Sequence, residues 1–225
     1  MRCDIHRENG VALVLALMTL LLLTGLGAAL VLTTSSEIAI AAAFRTSTEA
    51  MYAADAAVER AIGDLRTAPD WNLVLSGASR SAFIDGSPGV RTLPDGSTLD
   101  LSRIVNMLNC NDPDACSDAD MDEVRADRPW GPNNPRWRLY AYGRLSEMIP
   151  TETINSPFYI IAMVADDPSE NDGNPMMDGI DGSNPGAGVL AVRAEAFGPR
   201  GAHRVIEATV ARHTAPHLLS WREVR

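Results

Sequence analysis

An uncharged run from Val11 to Leu32 starts directly after a polar leader that ends in Gly10. As a helix rising about 1.5 Å per residue, the run is long enough to cross a bilayer core of about 30 Å. Gly25 and Gly27 lie inside it. Each costs a helix about 1 kcal/mol against Ala, which predicts a stretch able to unwind when lipid is exchanged for protein neighbours. From Ser35 the chain turns polar and alanine-rich, with Glu37, Arg45, Glu49, Asp55, Glu59, Arg60 and Asp64. Met51, Ala54, Val58, Ile62 and Leu65 recur three and four apart, the mark of an amphipathic helix with one packing stripe. Pro69 ends it, having no N–H to continue the ladder. The pattern predicts one rod from Val11 to Leu65, about 80 Å long, apolar on every side below and on one side above.

Beyond Trp71 the period changes. Asp85-Gly86, Ser87-Pro88-Gly89 and Pro94-Asp95-Gly96 are turn signals. Leu101, Ile104, Val105 and Leu108 share a face of a short helix over 99–108. Asn109 to Pro135 reads as a long polar loop. Four strands are predicted at 136–145, 158–165, 188–197 and 203–212, the first and last with clear alternation. Gly198-Pro199-Arg200-Gly201 is a turn that makes the last two a hairpin, and short connections favour antiparallel pairing. The tail from Thr214 carries Trp221 and is free to pack back. The expected fold class is α+β: a long N-terminal helix, transmembrane in its lower half, packed on a C-terminal antiparallel β-sheet. Its parts are a leader over 1–10, a membrane half over 11–32, an amphipathic half over 33–67 and one globular domain over 68–225.

Charge narrows the partners. Net charge is −10, the pI is near 4.8, and all 19 basic residues are Arg. Such a surface lacks the positive footprint of a phosphate binder, so no nucleic acid is expected. In the leader, Arg2 and Arg7 balance Asp4 and Glu8, and Cys3 would leave with it. Cys110 and Cys116 then remain as an even pair in an acidic loop. In an oxidising compartment they form a disulfide closing a short loop. Two free thiols are the plain alternative; zinc would need further soft ligands, and no His lies nearby.

Two acidic runs are candidates for metal. Asp112, Asp114, Asp118, Asp120, Asp122 and Glu123 form the first, which opens like a helix–loop–helix calcium loop but has Glu123 where Gly is needed. The second runs from Asp166 to Asp181, includes Glu170 and Asn171, and is interleaved with Gly173, Gly179 and Gly182. Calcium takes six to eight oxygens on flexible loops with sharp turns. The expected ligands are Asp166, Asp167, Asp172, Asn174, Asp178 and Asp181; the plain alternative is a solvated acidic loop. His203, His213 and His217 read as surface residues, with Pro216 keeping the last two off a common helix. No nucleophile elbow, phosphate loop or His-Glu-x-x-His is present, and nothing argues for catalysis.

Arg7-Glu8-Asn9-Gly10-Val11-Ala12-Leu13-Val14-Leu15-Ala16-Leu17 resembles the class III signal of type IV pilin-like proteins, and within them the PilX-type minor pilins. Tyr52-Ala53-Ala54-Asp55-Ala56-Ala57-Val58-Glu59-Arg60-Ala61 is similar to the second stretch of that family's N-terminal region. The resemblance implies a pilin-like fold, cleavage between Gly10 and Val11 by a prepilin peptidase, and N-methylation of Val11. It implies contact with other pilins or pseudopilins through the N-terminal helix. It places the chain in the bacterial inner membrane as a single-pass protein with a periplasmic C-terminal domain, and then in a pilus or pseudopilus. Major pilins carry a glutamate five residues into the mature chain, where this chain has Leu15. PilX-type proteins and the tip pseudopilin of type II secretion share that absence. It points to a minor subunit that primes or caps assembly. The alternative is a signal-anchored periplasmic ectodomain with a binding or enzymatic role, which leaves Gly10 and the long alanine-rich helix unexplained.

Overall fold

The protein was analysed as a computed structural model, which describes residues 9–149, 154–179, 184–212 and 216–224. Helix α1 runs unbroken from Asn9 to Leu65, through Gly25 and Gly27. The chain divides into two compact units between Arg45 and Thr46, inside this helix rather than at its end. The second unit therefore begins with the last five turns or so of α1.

In that unit α1 buries a stripe of small residues: Ala50, Ala53, Ala54, Ala57, Val58, Ala61, Ile62 and Leu65. The Leu65 carbonyl, orphaned at the helix end, accepts the indole N–H of Trp71 at 3.3 Å. Pro69 forces the break, and Asp70 caps α2 (Trp71–Leu75) by accepting the Asn72 N–H at 2.9 Å. A small hairpin follows, β1 (Val90–Thr92) with β2 (Thr98–Asp100), turned at Pro94-Asp95-Gly96. Asp100 caps α3 (Leu101–Cys110), which ends where Asn111 adopts φ 56°. The short α4 (Asp118–Met121) opens with a capping box between Ser117 and Asp120.

Five strands complete the domain: β3 (Arg138–Arg144), β4 (Tyr159–Asp166), β5 (Val189–Gly198), β6 (Ala202–Arg212) and β7 (Pro216–Val224). They form one antiparallel sheet in chain order, β3-β4-β5-β6-β7. The expected long helix on an antiparallel sheet, an α+β fold, is what forms. The four expected strands are β3 to β6. The tail packs back as a fifth strand, with Pro216 at its start, where a missing N–H does least harm.

Each face of the sheet has its own cover. Ile160, Ala162 and Val164 of β4, Leu190, Val192, Ala194 and Ala196 of β5, and Ile206, Ala208 and Val210 of β6 share one core with the alanine stripe of α1 and with α2. On the other face, Tyr142, Tyr159, Ile161 and Met163 pack with Leu93, Leu99 and α3, whose Leu101, Ile104, Val105 and Leu108 share the expected face. Strand β4 is buried along its whole length, which is why its sequence is apolar without alternation from Tyr159 to Ala165, before Asp166 ends it. At the end of β5, a Cβ on Gly198 would lie 2.1 Å from the Phe158 ring, so only glycine fits there.

The alanines fix how closely α1 approaches the sheet. Ala54→Leu adds volume at a fully buried position and should cost about 1–3 kcal/mol. Tyr52→Ala, on the exposed side of the same helix, should change stability by no more than about 0.5 kcal/mol. Thermal melts of both variants in detergent solution check the contrast.

Candidate functional site

The first unit offers an apolar helix surface. From Val11 to Leu32 every large side chain of α1 is exposed, Leu15 among them. The helix is long and apolar enough to cross a membrane, with a mean hydropathy of 2.4 and no burial over its most apolar window. Its hydroxyls are satisfied internally. Thr19 donates to the Leu15 and Ala16 carbonyls, Thr24 to Leu21, Thr33 to Ala29 and Thr34 to Leu30. Ser35 and Ser36 donate likewise to Val31 and Leu32. Such back-bonding leaves no polar group in want of water, as lipid or an apolar neighbour requires. Gly10 is exposed and Val11 follows it in the same helix; the leader residues 1–8 lie outside the described residues.

The first acidic run folds around basic residues and backbone. Cys110 and Cys116 are joined by a disulfide, with Cα atoms 5.5 Å apart. Asp112 accepts the N–H groups of Asp114 and Ala115, and the Asp120 carboxylate accepts the N–H and the hydroxyl of Ser117. Asp118 and Asp122 both pair with Arg136, at 3.0 and 3.1 Å. Arg125 reaches the carbonyls of Asn109 and Cys110 at the end of α3, and the buried Arg128 those of Leu108 and Pro135. Cations at a helix C-terminus meet its partial negative charge. These carboxylates serve as caps and Arg partners.

The second acidic run is different. Asp166, the last residue of β4, comes together with Glu170 and Asp178; one carboxylate oxygen from each lies within 4.8 Å of the others. Asp166 is 4% exposed and Glu170 1%. Each carboxylate has one oxygen anchored. Asp166 Oδ1 accepts the Asp167 N–H at 3.0 Å, Glu170 Oε1 the Asn184 amide at 2.9 Å, and Asp178 Oδ1 the Gly188 N–H at 2.6 Å. Glu170 Oε2 is buried without a hydrogen-bond donor among the described residues. None of the ion pairs among the described residues involves these three groups. The loop backbone is tied down as well: the Asp178 N–H donates to Asn72 of α2 at 2.7 Å.

Of the six expected ligands, Asp166 and Asp178 join the cluster. Asp167, Asp172 and Asn174 do not. Asp167 turns outward to accept from Ser169, and Asp172 accepts the Asn174 N–H at 2.7 Å in an exposed turn. Short acidic side chains next to turn N–H groups satisfy them locally before they can reach a shared centre. Asp181 lies outside the described residues. Glu170 was in the acidic run but not among the expected ligands. The signal for it was glycine: a Cβ on Gly179 would sit 1.7 Å from Glu170 Oε1, and one on Gly186 2.5 Å from the Glu170 nitrogen. His203, expected at the surface, is half-exposed, stacks on Phe197 and pairs with the buried Glu195 at 2.8 Å.

Burial, and then the neighbouring Glu170 carboxylate, push the Asp166 carboxyl up from 3.8 to about 9. Burial also raises Glu170 and Asp178, the latter against the Gly188 N–H that favours its charged form. A carboxyl with a raised folded pKa holds its proton where the unfolded chain has lost it, so stability falls as pH rises between the two values. For Asp166 that window runs from 3.8 to about 9. In excess chelator the melting temperature should therefore be higher at about pH 5.5 than at about pH 8.5, and Asp166→Asn should flatten the difference. A wild-type melt with the opposite slope rules out the buried acid.

Residues 9–59 match the family model described as PilX N-terminal. Neither a curated protein nor a solved structure matches the chain. The matched segment covers most of α1, from the apolar surface around Leu15 to the alanine stripe that carries the sheet. The match over residues 9–59, together with the long helix on an antiparallel sheet, supports a PilX-type pilin.

Proposed function

We propose that this chain is a minor subunit of a type IV pilus, made as a membrane-anchored precursor and assembled through α1. The observation that carries the reading is the apolar surface of Val11–Leu32, exposed on all sides in the single chain and free of unsatisfied hydroxyls. Such a surface needs lipid before assembly and the apolar helices of other pilins after it. The precursor sits in the bacterial inner membrane as a single-pass protein with residues from about Thr46 onward on the periplasmic side. The role is structural and non-enzymatic. A pseudopilus of type II secretion would use the same helix; the family match favours the pilus.

Processing follows from Gly10. A residue without a side chain before the scissile bond lets the prepilin peptidase approach the backbone, and the new N-terminus is Val11, which is then N-methylated. Co-expression with a prepilin peptidase and N-terminal sequencing should give a mature chain starting at Val11, and Gly10→Val should leave the precursor uncut. A start elsewhere overturns the assignment.

Copy number follows from Leu15. In a filament of apolar helices, a carboxylate at this position pairs with the N-terminal amine of a neighbour at each addition. With Leu15 that attraction is absent, so repeated addition of this chain is disfavoured. Quantitative mass spectrometry of sheared filaments should find it far below the major subunit. Deletion should reduce filament number if the chain primes assembly. Near-equal amounts of the two subunits contradict the minor role.

A further inference from the structure

We propose that Asp166, Glu170 and Asp178 form a calcium site that locks the β4–β5 loop onto α2. The proposal stands whether or not the chain is a pilus subunit. Three carboxylates converge from the end of β4 and from two points of the following loop, their oxygens within 4.8 Å of one another. That spread suits calcium, whose oxygens at about 2.4 Å from the ion lie up to about 4.8 Å apart. The strongest sign of a missing ligand is Glu170 Oε2, buried and without a hydrogen-bond donor among the described residues, in a residue only 1% exposed. Such an oxygen is satisfied either by the proton that Asp166 retains or by a cation that takes that proton's place.

The donor set selects the metal class. All three side chains offer hard oxygen; no His or Cys joins them among the described residues, which disfavours zinc and copper. Asp166 Oδ1, Glu170 Oε1 and Asp178 Oδ1 are each already held by an N–H donor, which fixes the three carboxylates in orientation. Calcium accepts an irregular shell completed by carbonyls and water, whereas magnesium demands near-octahedral geometry and keeps its waters. Among the described residues no ion pair involves the three carboxylates, with only the Arg212 charge acting on Asp178, so when ionised they repel one another and a divalent ion offsets most of that charge. Gly179 and Gly186 leave the space in which Glu170 folds inward. Because the Asp178 N–H is bonded to Asn72, an ion here joins β4, the loop and α2.

The test uses the full chain in detergent, stripped with chelator and dialysed against calcium chloride. One calcium per chain is expected, with a melting temperature that climbs with the logarithm of free calcium. Magnesium chloride at the same concentration should give a smaller rise. Asp166→Asn with Glu170→Gln should abolish both binding and rise while leaving the chelated protein at least as stable as wild type, since repulsion is removed. Asp178→Asn keeps the shape of the site and should weaken binding roughly tenfold or more; it serves if the double variant does not fold. Asp114→Asn, at an exposed position of the first acidic run, should change neither readout. No bound calcium at millimolar concentration, with an unchanged melt, overturns the site and leaves the carboxylates sharing protons. Calcium retained by Asp178→Asn and by the double variant also overturns it.

Discussion

The small side chains at Ala50, Ala53, Ala54, Ala57 and Ala61 let the second half of α1 lie directly on the central strands of the sheet. Larger residues at these positions would hold the helix off, and the side chains of β4, β5 and β6 on that face are themselves small: Ala162, Ala194, Ala196 and Ala208. Alanine against alanine gives little apolar area per residue, so stability depends on close fit along many turns rather than on a few large anchors. The large residues collect at the end of the helix, where Ile62, Leu65, Trp71 and Leu75 fill the corner. Trp71 both caps α1 through its indole and lies under the Arg212 guanidinium, 5.6 Å from the ring centroid.

That corner also carries the acidic loop. Asn72 sits one residue beyond Trp71 and holds the Asp178 backbone, while Arg212 from β6 bonds the Pro69 carbonyl at 2.9 Å. The loop between β4 and β5 is thus tied to the same turn that ends α1. The two acidic runs of the chain show how placement decides the fate of similar residues. Asp118 and Asp122 meet Arg136, Asp114 meets Arg103, and Asp112 and Asp120 accept N–H groups, so these charges are compensated where they form. Asp166 lies in the hydrophobic end of a fully buried strand, and Glu170 folds back over it. There the charges meet each other, and either protons or a cation must neutralise them.

The elements most legible in the sequence were those with long or regular patterns. The apolar run, the stripe at Ala54, Val58, Ile62 and Leu65, and the four strands β3 to β6 follow directly from period and length. Strand β7 was less so, because its residues are mostly exposed and Pro216 and the lack of clean alternation hide it; it is set by pairing with β6. The β1–β2 hairpin is three residues a side, too short for a periodic signal. At the acidic loop, composition located the segment but not the ligands. Asp, Asn and Ser close to turn N–H groups are drawn into local bonds, which spacing alone does not reveal. The inward turn of Glu170 depends on space left by Gly179 and Gly186, the latter 16 residues further along the chain.

The first half of α1 poses a different physical problem from the second. Its side chains gain nothing from the domain's own core, so their burial must come from outside the chain. Between lipid and a bundle of apolar helices the transfer of hydrocarbon is nearly neutral, and the balance is set by packing and by polar groups. Here the Thr and Ser hydroxyls are already bonded to their own helix, so they neither resist leaving the bilayer nor recruit a neighbour. Leu15 likewise supplies no charge. Gly25 and Gly27 remain helical in the single chain, with nothing within 4 Å of where a Cβ would stand, so they leave notches in an otherwise bulky surface. Small residues on an apolar helix are where another helix approaches most closely.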